Sequence, residues 1–264
     1  DNTQVTVDLN NDGTPDVLDL NRNGILDAGD GTIVTLNTGQ TFLLDDVSAF
    51  AAPGTLAAGA VINGTDTLQV KYITGRTDVN NQTRGFSAFP RGFWTKDYYA
   101  PLNQPGLDDN GQASDTDYYL YNPNSSAITV NWQGRTTSGS FNIPANTVVS
   151  FRTASGSTVP LDSGLYFKGT DVFWGVGSND ANGGGGTRGY AHEWGYSLLP
   201  STMMYTEHFL GWTPDGYWPG DVPPGPRVGD NDMGVFLTVA QDNTRVFVDL
   251  DNDGTVDQTY TLDR

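Results

Sequence analysis

Residues 8–30 read DLNNDGTPDVLDLNRNGILDAGD, and this stretch contains two tandem matches to the pattern of a calcium-binding loop. In that pattern, oxygen ligands come from positions 1, 3, 5, 7, 9 and 12, and a glycine at position 6 allows a sharp turn. The first match begins at Asp8 and the second at Asp19, which also fills position 12 of the first. The stretch therefore predicts bound calcium, with Asp19 shared between two loops.

The predicted ligands are short Asp and Asn side chains, with a backbone carbonyl at position 7. They are Asp8, Asn10, Asp12, Thr14, Asp16 and Asp19 in the first loop, and Asp19, Asn21, Asn23, Ile25, Asp27 and Asp30 in the second. Calcium takes six to eight oxygens, which such side chains supply only where the backbone wraps around the ion. The alternative is a metal-free turn, because Asp, Asn and Gly also favour turns. The stretch resembles the calcium repeats of thrombospondin type 3 segments and dockerins.

The two ends of the chain carry nearly the same sequence. Residues 1–16 (DNTQVTVDLNNDGTPD) and 242–257 (DNTRVFVDLDNDGTVD) are identical at 12 of 16 positions. The second copy starts a third loop, whose predicted ligands are Asp249, Asp251, Asp253, Thr255 and Asp257. Its position 12 is Tyr260, so we expect a weaker loop or one completed from elsewhere. Matching ends favour one period of a tandem array over a single domain that uses one turn twice.

Composition narrows the class of protein. The net charge of −18 argues against binding the nucleic-acid backbone, and almost all of the acid is aspartate. No apolar run is long enough to span a membrane. The chain has no cysteine, which fits an exported bacterial or archaeal protein stabilised by metal rather than by disulfides. We therefore expect an extracellular or cell-surface location.

Between the two ends, short alternating segments separated by turn residues predict an all-β fold built from β-sandwich modules. We expect three parts: a calcium-loop linker at 1–30, a first β-subdomain at 31–107 and a second at 108–264. A hairpin is expected from 32–36 and 40–44 around Asn37-Thr38-Gly39, and a helical turn only within 201–210. Further strands are expected at 68–73, 118–121, 127–132, 139–143, 147–152, 165–167, 171–176, 235–239 and 244–248.

Several segments between residues 31 and 241 resemble the repeated surface segments of large bacterial exported proteins. They include RGFSAFPRGFWTKDYYAP from residue 84, DTDYYLYNPNSSAITVNW from residue 115 and LYFKGTDVFWGV from residue 165. The order is also distantly similar to the N-terminal domain of IgGFc-binding proteins. The resemblance implies a β-rich extracellular module with a role in adhesion or envelope structure, and it implies no catalytic residues.

Catalysis is not expected. His192 adjoins Glu193 and Glu207 adjoins His208, but neither pair has the spacing of a zinc-binding helix. Adjacent residues of a strand point to opposite faces, so neither pair can present both members to one site. A serine elbow is lacking, and an acidic pair for glycoside hydrolysis could come only from loop residues such as Asp117.

The sequence thus predicts a calcium-stabilised structural module that assembles head to tail with copies of itself or with adjacent repeats. The alternative is a calcium-dependent carbohydrate-binding adhesin domain. Flat aromatic rings in loops suit the faces of sugars, and the candidates are Trp94, Trp212 and Trp218. Most such rings fill a core instead.

Overall fold

The structure is a computed structural model that describes residues 2–21, 25–44, 58–74, 84–101, 115–157, 164–180, 194–210 and 235–263. Its strands are β1 (Thr3–Asp8), β2 (Val34–Leu36), β3 (Val61–Gly64), β4 (Lys71–Thr74), β5 (Arg84–Ser87), β6 (Thr95–Ala100), β7 (Asp115–Asn122), β8 (Ile128–Gln133), β9 (Ser138–Ile143), β10 (Thr147–Ser150), β11 (Leu165–Asp180), β12 (Trp194–Ser197), β13 (Thr244–Val248) and β14 (Gln258–Leu262). Helix α1 spans Phe151–Ser155, and 3-10 turns span Arg91–Phe93 and Ser201–Met203. The all-β prediction is confirmed. Among the described residues, no helix has the length and apolarity needed to cross a bilayer.

The chain divides into two compact units. One is Asp1–Val70 with Asn146–Val148, and the other is Lys71–Ala145 with Val149–Arg264. This division falls near residue 70, whereas the sequence suggested boundaries at 30 and 107. Strand β1 pairs with both β2 and β3, so the loops at 8–30 lie between paired strands of one sheet rather than in a separate linker.

The first unit is organised around β1, which is the central strand of the sheet β2-β1-β3. Alternate side chains of β1 point to one side, and Val5 and Val7 on that side are buried. Leu18 and Val34 are buried with them, and the partly buried Ile62 and Leu68 pack against the same cluster. The loops therefore grow out of a strand that is fixed on both edges and on one face.

The second unit depends on one long strand, β11. Its first half pairs with β6 and β8, and its second half pairs with β7 and β12. The register against β6 shifts between Lys168 and Phe173, where the strand passes from one group of partners to the other. Gly175 lies where a Cβ would stand 2.4 Å from a methyl carbon of Leu120, which explains the lack of a side chain there.

The core of this unit is aromatic and centres on Phe151. This ring is fully buried and makes edge contacts with Tyr118, Trp132, Phe141 and Phe167 at centroid distances of 5.1–6.4 Å. Its neighbours come from β7, β8, β9 and β11, so side chains from both halves of the β11 pairing meet in one core. The finer prediction of β-sandwiches stays a prediction.

Several local predictions were wrong. Strand β2 pairs with β1 and not with 40–44, which are not a strand, although the turn at Gly39 is present with φ +82°. The strand expected at 147–152 stops at Ser150, whose hydroxyl caps α1 by accepting a hydrogen bond from Thr153 N. The two strands expected at 165–167 and 171–176 are one, and 235–239 are not a strand.

Candidate metal centre

The first and third predicted loops begin where β1 and β13 end. Both chains turn through left-handed backbone at the same two places. These are Asn11 (φ +59°) and Gly13 (φ +89°) in the first loop, and Asn252 (φ +58°) and Gly254 (φ +86°) in the third. Asn and Gly are the residues that accept this conformation at low cost, so the sequence N-D-G forms the turn.

The first loop is held by two carboxylates. Asp8 accepts hydrogen bonds from Asp12 N at 3.1 Å and from Gly13 N at 2.8 Å. Asp16 accepts one from Leu9 N at 2.7 Å. The turn is therefore wrapped around the Asp8 carboxylate and is closed by Asp16.

The third loop repeats this geometry at a distance of 241 residues along the chain. Asp249 accepts hydrogen bonds from Asp253 N at 3.3 Å and from Gly254 N at 2.9 Å. Asp257 accepts one from Leu250 N at 2.7 Å. Identical residues thus give the same hydrogen-bonded loop in two places.

Position 9, rather than position 12, closes these two loops. The position-2 N–H groups of Leu9 and Leu250 bond to the position-9 carboxylates of Asp16 and Asp257. The hydrogen bonds that close the third loop therefore do not use position 12, where it carries Tyr260. The expected need for a carboxylate at position 12 does not apply to loop closure.

The second loop closes differently. Its position-2 N–H, from Leu20, bonds at 2.9 Å to Asp30, which is at position 12. The other oxygen of Asp30 accepts from Asp27 N at 2.6 Å, and Asp27 accepts from the side-chain amide of Asn21 at 3.1 Å. This loop is therefore the longer, twelve-residue form of the pattern.

Strand pairing shows that the second loop is an insertion. Thr3 pairs with Leu36 as Thr244 pairs with Leu262, and Asn2 N bonds to Asn37 as Asn243 N bonds to Asp263. The offset between the copies therefore falls from 241 before the insertion to 226 after it, and the difference of 15 is the length of the segment 19–33. The C-terminal copy is the shorter form, in which β14 returns along β13 without interruption.

The third loop brings three of the predicted acidic ligands together. One carboxylate oxygen from each of Asp249, Asp251 and Asp257 lies within 4.8 Å of the other two, and all three residues are exposed. No other such group of three acidic, His or Cys side chains occurs in the described part of the chain. In the first loop, Asn10 stands at the place of Asp251, so that loop has one carboxylate fewer there.

The remaining predicted ligands lie along the same turns. Asp12 accepts from Thr14 N at 2.8 Å, and Asp253 accepts from Thr255 N at 2.7 Å. Asp19 is fully buried, unlike the exposed Ile25. Asn23 lies outside the described residues.

Trp94, the one described residue of the predicted sugar platform, is packed against other rings. It stacks on Trp174 at 5.8 Å and meets Tyr121 edge-on at 6.1 Å. Its indole N–H donates to Phe89 O at 2.8 Å. One face of the Trp94 ring is therefore covered, while Trp212 and Trp218 lie outside the described residues.

The residues considered for catalysis have local partners where they are described. A ring nitrogen of His208 lies 3.0 Å from Tyr205 O. Asp117 accepts hydrogen bonds from Ser150 Oγ and from Arg152 N, so it holds the start of α1. His192 and Glu193 lie outside the described residues.

A pocket of about 310 Å³ in the second unit combines aromatic and polar groups. Its lining includes Tyr99, Gln133, Arg135, Tyr166 and Asp263. The rings of Tyr99 and Tyr166 stack at 4.8 Å. Sequence reasoning missed this pocket because its residues come from segments more than 160 positions apart.

Comparison with protein-family models, with curated proteins and with solved structures gives no match for this chain.

Proposed function

We propose that this chain is a calcium-stabilised structural module of an extracellular, cell-surface or filament-forming protein, in which units follow one another head to tail. Calcium in the loops at both ends fixes the joints between units. The joints are the first and second loops at residues 8–30 and the third at residues 249–257.

The observation that carries this proposal is the grouping of Asp249, Asp251 and Asp257. Calcium binds oxygens at 2.3–2.6 Å, so two ligands of one ion lie at most about 5 Å apart. The carboxylate oxygens in the third loop lie within 4.8 Å of one another and therefore fit around one such ion.

Electrostatics gives these loops a reason to depend on a cation. Three exposed carboxylates at this separation repel one another in a chain whose net charge is already −18. A bound divalent ion replaces that repulsion with attraction and fixes the side chains in one arrangement. A mobile acidic turn thereby becomes a rigid connection.

The shared geometry of the two ends supports the head-to-tail part of the proposal. The first and third loops have the same left-handed residues and the same closing hydrogen bonds. Ends that match in this way are expected where one unit repeats along an array. A contact between unlike surfaces that does not close on itself gives a chain or a filament.

The test is thermal unfolding and particle size, measured with calcium and then with excess EGTA. We expect weak binding, with Kd on the order of 10⁻⁴–10⁻³ M as in other extracellular modules. Calcium at 100 times its Kd would then stabilise the folded chain by about 2.7 kcal/mol. Light scattering in the same buffers should show assemblies with calcium and single chains with EGTA.

Magnesium at the same ionic strength is the matched control, because it demands a tighter octahedral site and keeps its waters. A calcium-specific rise in Tm supports the proposal. Equal Tm values and particle sizes in calcium, magnesium and EGTA would contradict it.

The pocket at Tyr99 and Tyr166 favours the second candidate, a calcium-dependent carbohydrate-binding adhesin domain. It places aromatic rings beside Arg135, Gln133 and Asp263, which suit the faces and hydroxyl groups of a sugar. A glycan array probed with the chain and with Tyr166→Ala tests this candidate. Glycan signal that Tyr166→Ala abolishes would favour the adhesin, and an array without signal would count against it.

A further inference from the structure

The two copies of the repeated motif differ in what surrounds their strands. In the first unit, β1 pairs with β2 on one edge and with β3 on the other. The pairing with β3 runs from Val5 opposite Gly64 to Asp8 opposite Val61. Thr65 N extends it with a hydrogen bond to Gln4 O at 3.0 Å.

In the C-terminal copy, β13 corresponds to β1 and β14 takes the place of β2. Within the described part of the chain, these two strands form a sheet of their own, and no third strand takes the place of β3. The edge of β13 that corresponds to the β3 side of β1 is therefore open in this part of the structure. Such an edge offers unpaired N–H and C=O groups to another strand.

The apolar face of the hairpin differs in the same way. Val5, Val7 and Leu9 are each at most 7% exposed, whereas Leu250, the counterpart of Leu9, is 68% exposed. Val246 and Val248, the counterparts of Val5 and Val7, are only partly buried. The first unit covers its face partly with Ile62 of β3 and with Leu68, which follows β3.

We propose that β13 accepts an extended polypeptide strand of the β3 type from a neighbouring molecule. The incoming strand runs antiparallel to β13, with an aliphatic side chain opposite Val248, as Ile62 is opposite Val7. A leucine six residues further along, equivalent to Leu68, covers the Val246–Leu250 face. Main-chain hydrogen bonds supply affinity, and the alternate aliphatic side chains supply specificity.

This inference rests on the proposed function, since a head-to-tail joint needs a surface that receives the next polypeptide. It adds the chemistry of that surface. The first unit provides the reason for choosing this occupant, because there the same strand sequence is completed by an aliphatic strand in a defined register.

The probe is a synthetic peptide with the sequence of residues 59–70, GAVINGTDTLQV, added to the isotope-labelled full chain in calcium. We expect amide resonances of residues 245–249 to shift and their hydrogen exchange to slow. Val248→Asp should weaken binding at least about tenfold. Phe247→Thr is the matched control, because Phe247 lies on the opposite face under Arg245 and Thr6 is its counterpart.

A disulfide test fixes the register even if Val248→Asp disturbs the hairpin. The chain contains no cysteine, so Val248→Cys introduces a single thiol. A peptide carrying Ile62→Cys should cross-link to it on oxidation, and should cross-link far less to Phe247→Cys. Failure of the peptide to bind at about 1 mM, or equal cross-linking at both positions, would overturn the inference.

The melting temperature with and without calcium is measured on the same samples. A chain that calcium stabilises but that ignores the peptide overturns this inference and leaves the proposed function standing. A chain that binds the peptide in the stated register but does not respond to calcium supports this inference and counts against the proposed function.

Discussion

Asp8 and Asp249 do the same work in two loops that are 241 residues apart. Each carboxylate accepts one hydrogen bond from the N–H four residues further along and another from the N–H five residues further along. Each is therefore the centre of its turn, whatever surrounds it. Asp8 is 6% exposed and Asp249 is exposed, so burial is not what gives the loop its shape.

The number of carboxylates should set the relative calcium affinity of the two loops. Asn10→Asp adds a carboxylate to the first loop, and Asp251→Asn removes one from the third. We expect affinity to rise about tenfold in the first variant and to fall about tenfold in the second, because charge count tunes such sites. Isothermal titration calorimetry measures both.

Asp171→Asn is the control for these two variants, because Asp171 is an exposed acid that faces Lys96 outside the loops. It should leave calcium binding unchanged. Equal affinities in Asn10→Asp, Asp251→Asn and the unmodified chain would show that these positions do not ligate the ion.

The left-handed glycines should resist substitution for a purely backbone reason. A Cβ at Gly13 or Gly254 would have nothing within 4 Å, so a side chain would meet no steric contact there. Alanine should nevertheless cost about 1–2 kcal/mol, because an L-residue is strained at these φ angles. Denaturant unfolding of Gly13→Ala and Gly254→Ala measures the loss.

Gly85→Ala is the matched control, since Gly85 also has open space around it but lies in β5. Its stability should not fall. A loss of equal size in Gly85→Ala would mean that the φ angle is not the cause.

Phe151 should be the most sensitive single side chain of the aromatic core. It is fully buried and contacts four rings, so Phe151→Ala leaves a cavity between strands that cannot close over it. We expect a loss of about 3–5 kcal/mol in the free energy of unfolding. Phe93→Ala, at a ring that is 52% exposed, should cost far less, and similar losses in both would contradict the assignment of this core.

The chain should lose stability at high pH because of its buried tyrosines. Burial raises the pKa of Tyr98 to about 12, although a hydrogen bond from Thr95 N lowers it in part. Above pH 10 the unfolded chain releases this proton and the folded chain does not. The contribution of Tyr98 is therefore complete below pH 10 and is lost between about pH 10 and pH 12, up to about 2 kcal/mol.

Tyr98→Phe should flatten that part of the pH profile, at the cost of the hydrogen bond that the hydroxyl donates to Phe173 O. Burial also raises the pKa of Tyr118, so some alkaline loss should remain. Tyr205→Phe, at an exposed tyrosine, is the control and should leave the profile unchanged. A profile that Tyr98→Phe does not alter would contradict the prediction.

Patterns that are local in sequence predicted local structure well. The turn sequence N-D-G gave two loops of one geometry, and the alternation at 127–132 and 139–143 corresponds to β8 and β9. Residues 165–180 were harder, because Lys168-Gly169-Thr170 interrupts the apolar pattern where the strand changes partners. The helix at Phe151 was missed because the β-branched residues Thr147, Val148 and Val149 precede it.

The features that sequence could not supply depend on distant partners. Strand β3 pairs with β1 across more than 50 residues, and its own sequence, Val-Ile-Asn-Gly, carries little strand signal. The insertion at 19–33 became visible only when Val34 and Tyr260 were found opposite equivalent residues, Val5 and Val246. The closing role of Asp16 and Asp257 likewise needed the hydrogen bonds.

The long strand β11 has a consequence for how the second unit forms. It supplies partners to β6 and β8 through one half and to β7 and β12 through the other, so neither group of strands is complete without it. Strands β6, β7 and β8 precede it in the chain and must wait for it. We therefore expect slow, highly cooperative folding that begins late in synthesis, with no stable intermediate before residue 180 has emerged.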